Sequence, residues 1–262
     1  MSLLDAILLG LVQGLTEFLP VSSSGHLVIG KTLLGVDSPG VAFEVVLHVA
    51  TLLSVIIVYR ERLWQLVVGA ARGQRDALVF IGLLVLATIP AGLVGLFFED
   101  AVEEAFAVPA ITGIMLLITG ALLWTTRFRR PAGDAHLPTP RLALGIGIAQ
   151  AFAILPGISR SGATITAGLW GRLPGDRAAE FSFLLSIPAI LGAALLQVGE
   201  IGESWQATGG APLVVAFFVA LVAGIAAIRS LVWLLRRQAF YAFAYYVWAA
   251  GGLFLLFLAL RG

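Results

Sequence analysis

Cysteine is absent from all 262 residues. That excludes thiol nucleophiles, disulfides and thiolate-ligated metal, while leaving the compartment open. Charge is scarce as well: 12% of the residues are Asp, Glu, Lys or Arg, against roughly 25% in soluble domains, and 60% are hydrophobic. The chain is therefore expected to be an integral membrane protein in contact with membrane lipids, with no nucleic acid among its partners. Its start, MSLLDAILLGLVQGL, lacks the basic region and the small-residue cleavage site of a signal peptide, so it is expected to belong to the mature fold.

Six apolar runs are long enough to cross a hydrocarbon core, which takes about 20 helical residues: roughly 41–59, 77–98, 107–126, 181–198, 211–228 and 239–260. Barrel strands would read as alternating segments of about ten residues, and no such pattern occurs. The expected class is an all-α polytopic membrane protein.

The charges that remain are unevenly placed. Arg60, Arg62, Arg72 and Arg75 follow the first run, and Arg127, Arg129, Arg130 and Arg141 lie in the linker RFRRPAGDAHLPTPR. Arg172 and Arg177 precede the fourth run, and Arg229, Arg236 and Arg237 follow the fifth. The connections EDAVEEAF (99–106) and GEIGES (199–204) carry acids without Lys or Arg. The positive-inside rule makes the basic loops cytoplasmic and the acidic ones extracytoplasmic, with both termini outside. This works only if two further apolar segments, about 2–35 and 142–170, enter and leave on one side. Each is broken by a Pro/Ser/Gly cluster into halves too short to span, and each is read as a re-entrant helical hairpin.

The two broken segments match. A shift of 137 residues sets QGLTEFLPVSSSGH (13–26) against QAFAILPGISRSGA (150–163), aligning Gln13 with Gln150, Ser22 with Ser159, Ser24 with Ser161 and Gly25 with Gly162. Each is followed by three spans. Residues 1–130 and 142–262 are therefore expected to be inverted-topology repeats joined by a cytoplasmic linker, 131–141, with their broken helices meeting near the midplane. Chance identity among Gly, Ser and Pro is the bland alternative.

Strongly polar groups inside this apolar body are few: Gln13, Glu17, Ser22, Ser23, Ser24, His26, Glu44, His48, Ser159, Arg160, Ser161, Thr164 and Thr166. A charge at mid-membrane costs about 3 kcal/mol on insertion scales, which makes such residues functional candidates by default. Gln13 and Glu17 share one helical face, and if the hairpin tips meet, Glu17, His26 and Arg160 can share one cavity. Each has a plainer reading: Glu17–Arg160 as an ion pair fixing the hairpins, His26 as a packing residue, Ser22 and Ser161 as partners for freed backbone groups, Glu44 and His48 as supporting or structural. Together, however, a carboxylate, hydroxyls, an imidazole, a guanidinium and glycine-broken helix starts are the parts of a phosphate site.

These stretches resemble a known family. QGLTEFLPVSSSGH (13–26) and LPGISRSGAT (155–164) look like the two signature regions of the bacterial undecaprenyl-diphosphate phosphatases, the bacitracin-resistance proteins. The likeness covers essentially the whole chain, including FE at 43–44 and AAEFSFLLSIP at 178–188. The family's first signature carries Glu/Gln-x-x-x-Glu, so Gln13 is the permitted variant and Glu17 the one carboxylate left there. The resemblance implies hydrolysis of the C55 isoprenoid diphosphate to its monophosphate and phosphate at the bacterial inner membrane. That reaction recycles the carrier for peptidoglycan and removes the target of bacitracin.

By the same resemblance Glu17, Ser23, His26 and Arg160 are the central residues, with Gln13, Ser22, Ser24, Gly25, Gly157, Ser159, Ser161, Gly162 and Thr164 around the substrate. A divalent cation, Mg2+ or Ca2+, is implied too, with Glu17 as its candidate ligand. SGH (24–26) and SR (159–160) are also similar to lipid phosphatases of the acid-phosphatase superfamily, but that family needs a histidine six residues after its arginine, where this chain has Thr166. Ser23 is the expected nucleophile with Glu17 or His26 as base, and direct attack by His26 is the alternative. The cavity is expected to open outward. The rival class is a transporter or flippase of a polyprenyl phosphate lipid, built on the same architecture. A homodimer and a monomer are both left open.

Overall fold

The structure is a computed structural model that describes residues 1–34, 41–130, 132–196 and 210–261, with the backbone alone for residues 31, 34, 41, 42, 44 and 196. The acidic connection 199–204 and the side chain of Glu44 thus lie outside the described residues. Among those described there is no strand. In chain order the helices are α1 (Leu3–Phe18), α2 (Ser23–Leu34), α3 (Val41–Val58), α4 (Arg60–Ala71), α5 (Arg75–Phe97), α6 (Glu99–Ala107) and α7 (Pro109–Thr125). After the linker come α8 (Pro140–Phe152), α9 (Arg160–Trp170), α10 (Gly175–Leu196), α11 (Gly210–Arg236) and α12 (Phe243–Arg261).

Among the described residues five helical stretches are long and apolar enough to cross a membrane: Arg75–Phe97, Pro109–Phe128, Gly175–Leu195, Gly210–Arg236 and Phe240–Arg261. The first expected run forms α3, of which Val45–Val58 qualifies only as a shorter apolar helix. Two connections read as loops are helical instead. The basic stretch after α3 forms α4, and the acidic 99–106 forms most of α6, with Glu99 and Asp100 in its first turn, where carboxylates complement the helix dipole. α11 continues past the expected end at 228, because nothing in Arg229–Arg236 breaks a helix.

The two interrupted segments are helix–break–helix units, α1/α2 and α8/α9. α1 starts with a capping box between Ser2 and Asp5. It stops at Phe18 because Pro20 drives Leu19 into extended backbone (φ −66°, ψ 147°). α8 starts on a Thr139 N-cap with Pro140 in its first turn, where proline's missing N–H costs nothing. The second break, Ala153–Ser159, contains Gly157 at φ +98°, where an added Cβ would run into the Thr112 carbonyl of α7.

Packing between the two halves is reciprocal. α1 lies along α11 and α8 lies along α5. Both contacts need small residues: a Cβ on Gly10 would sit 2.6 Å from the Ala216 carbonyl oxygen, and one on Gly147 would collide with that of Ala87. Gly10 and Gly147 are themselves 137 residues apart. Two buried clusters result among the described residues. A large one runs from Phe18 and Val21 through Phe80, Phe181 and Phe183 to Leu231, and a smaller one joins Ala6, Phe43, Leu47, Ala216 and Ala220.

Candidate active site

The breaks after α1 and α8 touch. Ser161 Oγ donates to the Leu19 carbonyl at 3.2 Å, and a Cβ on Gly25 would lie 3.2 Å from Gly157 Cα. This close approach brings the starts of α2 and α9 together. The two starts are built alike. Ser22 Oγ accepts from Gly25 N–H (3.2 Å) and Ser159 Oγ from Gly162 N–H (3.1 Å). Ser22 Oγ and Ser24 Oγ share a hydrogen at 3.3 Å, as do Ser159 Oγ and Ser161 Oγ at 3.2 Å. Each serine satisfies one of the orphan N–H groups at its helix start and leaves others free to meet an anion.

Glu17, in the last turn of α1, bonds to residues of both starts. Its Oε1 accepts from Arg160 Nη2 at 2.7 Å. Its Oε2 accepts from Ser23 Oγ at 2.8 Å and from Gln13 Nε2 at 3.0 Å, the i, i+4 pair expected on one face of α1. The Glu17 side chain is 6% exposed and that of Arg160 16%. Arg160 Nη1 is buried with no hydrogen-bond partner, as is Gln13 Oε1. A buried guanidinium arm left without an acceptor is costly unless an anion meets it.

Above this cluster opens a cavity of about 430 Å³. Its polar end is formed by Glu17, Ser22, Ser23, Ser24, Ser159, Arg160 and His48. Its walls are apolar, with Val102 and Phe106 from α6 and Ala189, Ile190, Ala193 and Ala194 from α10. The arrangement can hold a phosphate against a guanidinium and two helix starts while an apolar chain leaves between α6 and α10.

Of the residues expected from sequence, Glu17, Ser22, Ser23, Ser24, Ser159 and Arg160 meet at this cavity. Gln13, Gly25, Gly157, Ser161 and Gly162 lie behind it, as supports and close-approach positions. Thr164 is buried and tied to Arg160 O (2.7 Å) and to Ser182 Oγ of α10 (2.6 Å). His26 is turned away: its ring nitrogens meet the Ser22 carbonyl (2.8 Å) and the Tyr246 hydroxyl (2.7 Å), and it lines a different cavity. The imidazole that does face the polar end is His48, whose Nε2 is 3.8 Å from Glu17 Oε2. Sequence reasoning gave His48 a supporting or structural place, although an imidazole in an apolar span was signal enough to nominate it. Among the described residues no group of three or more His, Asp or Glu could hold a metal ion.

The family described as "Bacitracin resistance protein BacA" matches residues 6–253. The undecaprenyl-diphosphatase of Syntrophotalea carbinolica is 43% identical, over 97% of this chain and 98% of that protein. Those of Salinibacter ruber (41%, over 95% and 97%) and Alkaliphilus metalliredigens (40%, over 98% and 99%) are similar along nearly their whole lengths too. A match that spans both broken segments and every described helix from α2 to α11 leaves one conclusion: the chain belongs to the bacitracin resistance protein BacA family.

Proposed function

We propose that this chain is an undecaprenyl-diphosphate phosphatase, releasing inorganic phosphate and returning the lipid monophosphate to peptidoglycan synthesis, with bacitracin resistance as a consequence. The observation that carries this reading is the Ser23–Glu17–Arg160 constellation at the polar end of an apolar-walled cavity. A hydroxyl bonded to a buried carboxylate is prepared to lose its proton, and the guanidinium beside it has one arm uncommitted.

In the proposed reaction the terminal phosphate sits between Arg160 and the N–H groups opening α2 and α9. Ser23 Oγ attacks phosphorus in line and its proton passes to Glu17. The bridging P–O bond breaks, and its electron pair leaves with undecaprenyl phosphate. Water then attacks the phosphoserine, the Ser23 Oγ–P bond breaks, Oγ takes back the proton held on Glu17, and inorganic phosphate leaves with the hydrogens of the water. The polyprenyl chain lies along the α6–α10 wall. The Glu17 carboxylate accepts from Gln13, Ser23 and Arg160, and its two oxygens offer about four lone-pair sites, so Glu17 would be the residue to hold a divalent cation. Mg2+ or Ca2+ bound so would neutralise phosphate charge.

Phosphate release from undecaprenyl diphosphate by the purified protein in detergent tests the enzyme against the transporter reading, because no transmembrane gradient exists there. Turnover is expected, with loss on chelation and return with added Mg2+ or Ca2+. A protein that binds the lipid without releasing phosphate would favour the flippase.

The inverted repeat is also our reading. Its supports are the 137-residue match, the like-built starts of α2 and α9, and the reciprocal packing of α1 on α11 and α8 on α5. We place α1/α2 and α8/α9 as re-entrant hairpins in the bacterial inner membrane, entering from opposite sides. The cavity then faces outward, since Val102 and Phe106 in its wall belong to the acidic segment. The lack of native cysteine makes the topology test clean. Glu103→Cys should be labelled by an impermeant thiol reagent in intact cells and Ala132→Cys should not. Labelling of the second position alone would reverse the orientation.

A further inference from the structure

The pairing of His26 with Tyr246 of α12 has no part in the chemistry above. The two rings stack in parallel, with centroids 5.7 Å apart and planes 2° from parallel, and the Tyr246 hydroxyl lies 2.7 Å from His26 Nε2. The other ring nitrogen, Nδ1, is 2.8 Å from the Ser22 carbonyl oxygen. A carbonyl only accepts, so Nδ1 carries the hydrogen, and in the neutral ring Nε2 accepts from the phenol. Both nitrogens are thereby committed away from Glu17 and Arg160.

The acceptor of that chain is the residue whose conformation matters most. Ser22 sits at φ +67°, the left-handed region that a non-glycine residue enters at a cost. Its carbonyl belongs to the same rigid peptide plane as the Ser23 N–H. Fixing that oxygen fixes both where Ser23 begins and where the first N–H groups of α2 point. The His26 backbone N–H also reaches the Ser22 oxygen, at 3.2 Å, but a helical hydrogen bond alone does not lock the rotation of the preceding peptide. The imidazole is the second hold on it.

Tyr246 is about half exposed on the outer face of α12, and with His26 it lines an apolar cavity of about 330 Å³ whose other walls include Ile29, Leu253 and Phe257. Among those groups His26 alone offers it a hydrogen bond, so hydrocarbon surroundings press the phenol onto the ring.

We propose that Tyr246 is a positioning residue of the phosphatase reaction, acting through His26 on the Ser22–Ser23 peptide plane. This rests on the reading of the α2 start as the place where phosphate is attacked. His26 then serves as a link in the frame and not as the nucleophile.

The test is a double-mutant cycle in the purified full-length protein in detergent, with kcat and KM for phosphate release from undecaprenyl diphosphate and a melting temperature for every variant. Tyr246→Phe keeps the ring and removes the hydroxyl. It is expected to lower kcat about tenfold, the scale of a sub-ångström misplacement, with KM and melting temperature nearly unchanged. In a His26→Gln background the same change should add less than about twofold, because the link is already cut. Leu253→Ala, in the same cavity wall but without a polar contact, should leave kcat near wild type.

Wild-type kcat in Tyr246→Phe would overturn the proposal. So would a full tenfold loss persisting in His26→Gln, or a fall in activity matched by a fall in melting temperature. If Ser23→Ala keeps its turnover, the nucleophile assignment fails, and the Tyr246–His26 coupling is still decided by its own cycle.

Discussion

Arg160→Lys is expected to insert and fold normally and to lose about 2–4 kcal/mol of transition-state stabilisation, the range of other preorganised electrostatic groups. The guanidinium is asked to do two things at once. Nη2 holds Glu17 Oε1 at 2.7 Å, and Nη1 is buried without a partner. A planar fork serves a carboxylate and a phosphate oxygen together, whereas an ammonium is a point charge at the end of a flexible stem. Lysine can keep the ion pair or meet the phosphate, with neither held in a fixed plane.

If Arg160 did no more than pair with Glu17 to tie α9 to α1, lysine would largely substitute and activity would stay near wild type. Arg160→Ala would then lower stability as much as turnover, since it leaves a buried carboxylate uncompensated at a cost of about 3–5 kcal/mol. Melting temperature and phosphate release, measured on the same purified variants, separate the two. Arg129→Lys, in the basic linker far from the cavity, is the silent control.

Ser23→Ala is expected to fold and to lose at least about a thousandfold in kcat, since a positioned nucleophile and the base that accepts its proton fail together. The stability change should be small. The lost hydrogen bond to Glu17 Oε2 is one of three on that carboxylate and contributes about 1 kcal/mol. The expected signature is therefore a protein with a near-native melting temperature and no phosphate release. Near-normal turnover would replace Ser23 by a directly activated water, with Glu17 and His48, 3.8 Å apart at the polar end, as candidate bases.

The broad architecture was legible because the membrane leaves few alternatives. Long uncharged runs in lipid must be helices, since every backbone N–H and C=O has to be satisfied within the segment. The breaks were legible from Pro20, Pro156 and Gly157, whose backbone constraints are local. The short helices α4 and α6 were not. They lie beside the membrane spans with mixed composition, where low mean hydropathy reads equally as loop or as surface helix. The extent of α3 beyond Val45–Val58 is not decided by composition either.

At the site, the sequence by itself nominated Glu17 and Arg160 as able to share one cavity if the two breaks met, and the structure joins them across 143 residues. A carboxylate and a guanidinium in an apolar body are each too costly to leave unpaired, and few opposite charges were on offer. The sequence did not determine which imidazole faces the cavity. Ser23 and His26 are three residues apart near the start of one helix, which argues for a shared face. The tertiary structure instead turns His26 toward Tyr246, 220 residues away, and brings His48 of α3 to the polar end. A neutral ring with one donor and one acceptor is satisfied by many partners, backbone carbonyls and hydroxyls among them. Its direction is therefore set by whichever packed helix arrives beside it, while a buried charge selects its partner from a very short list.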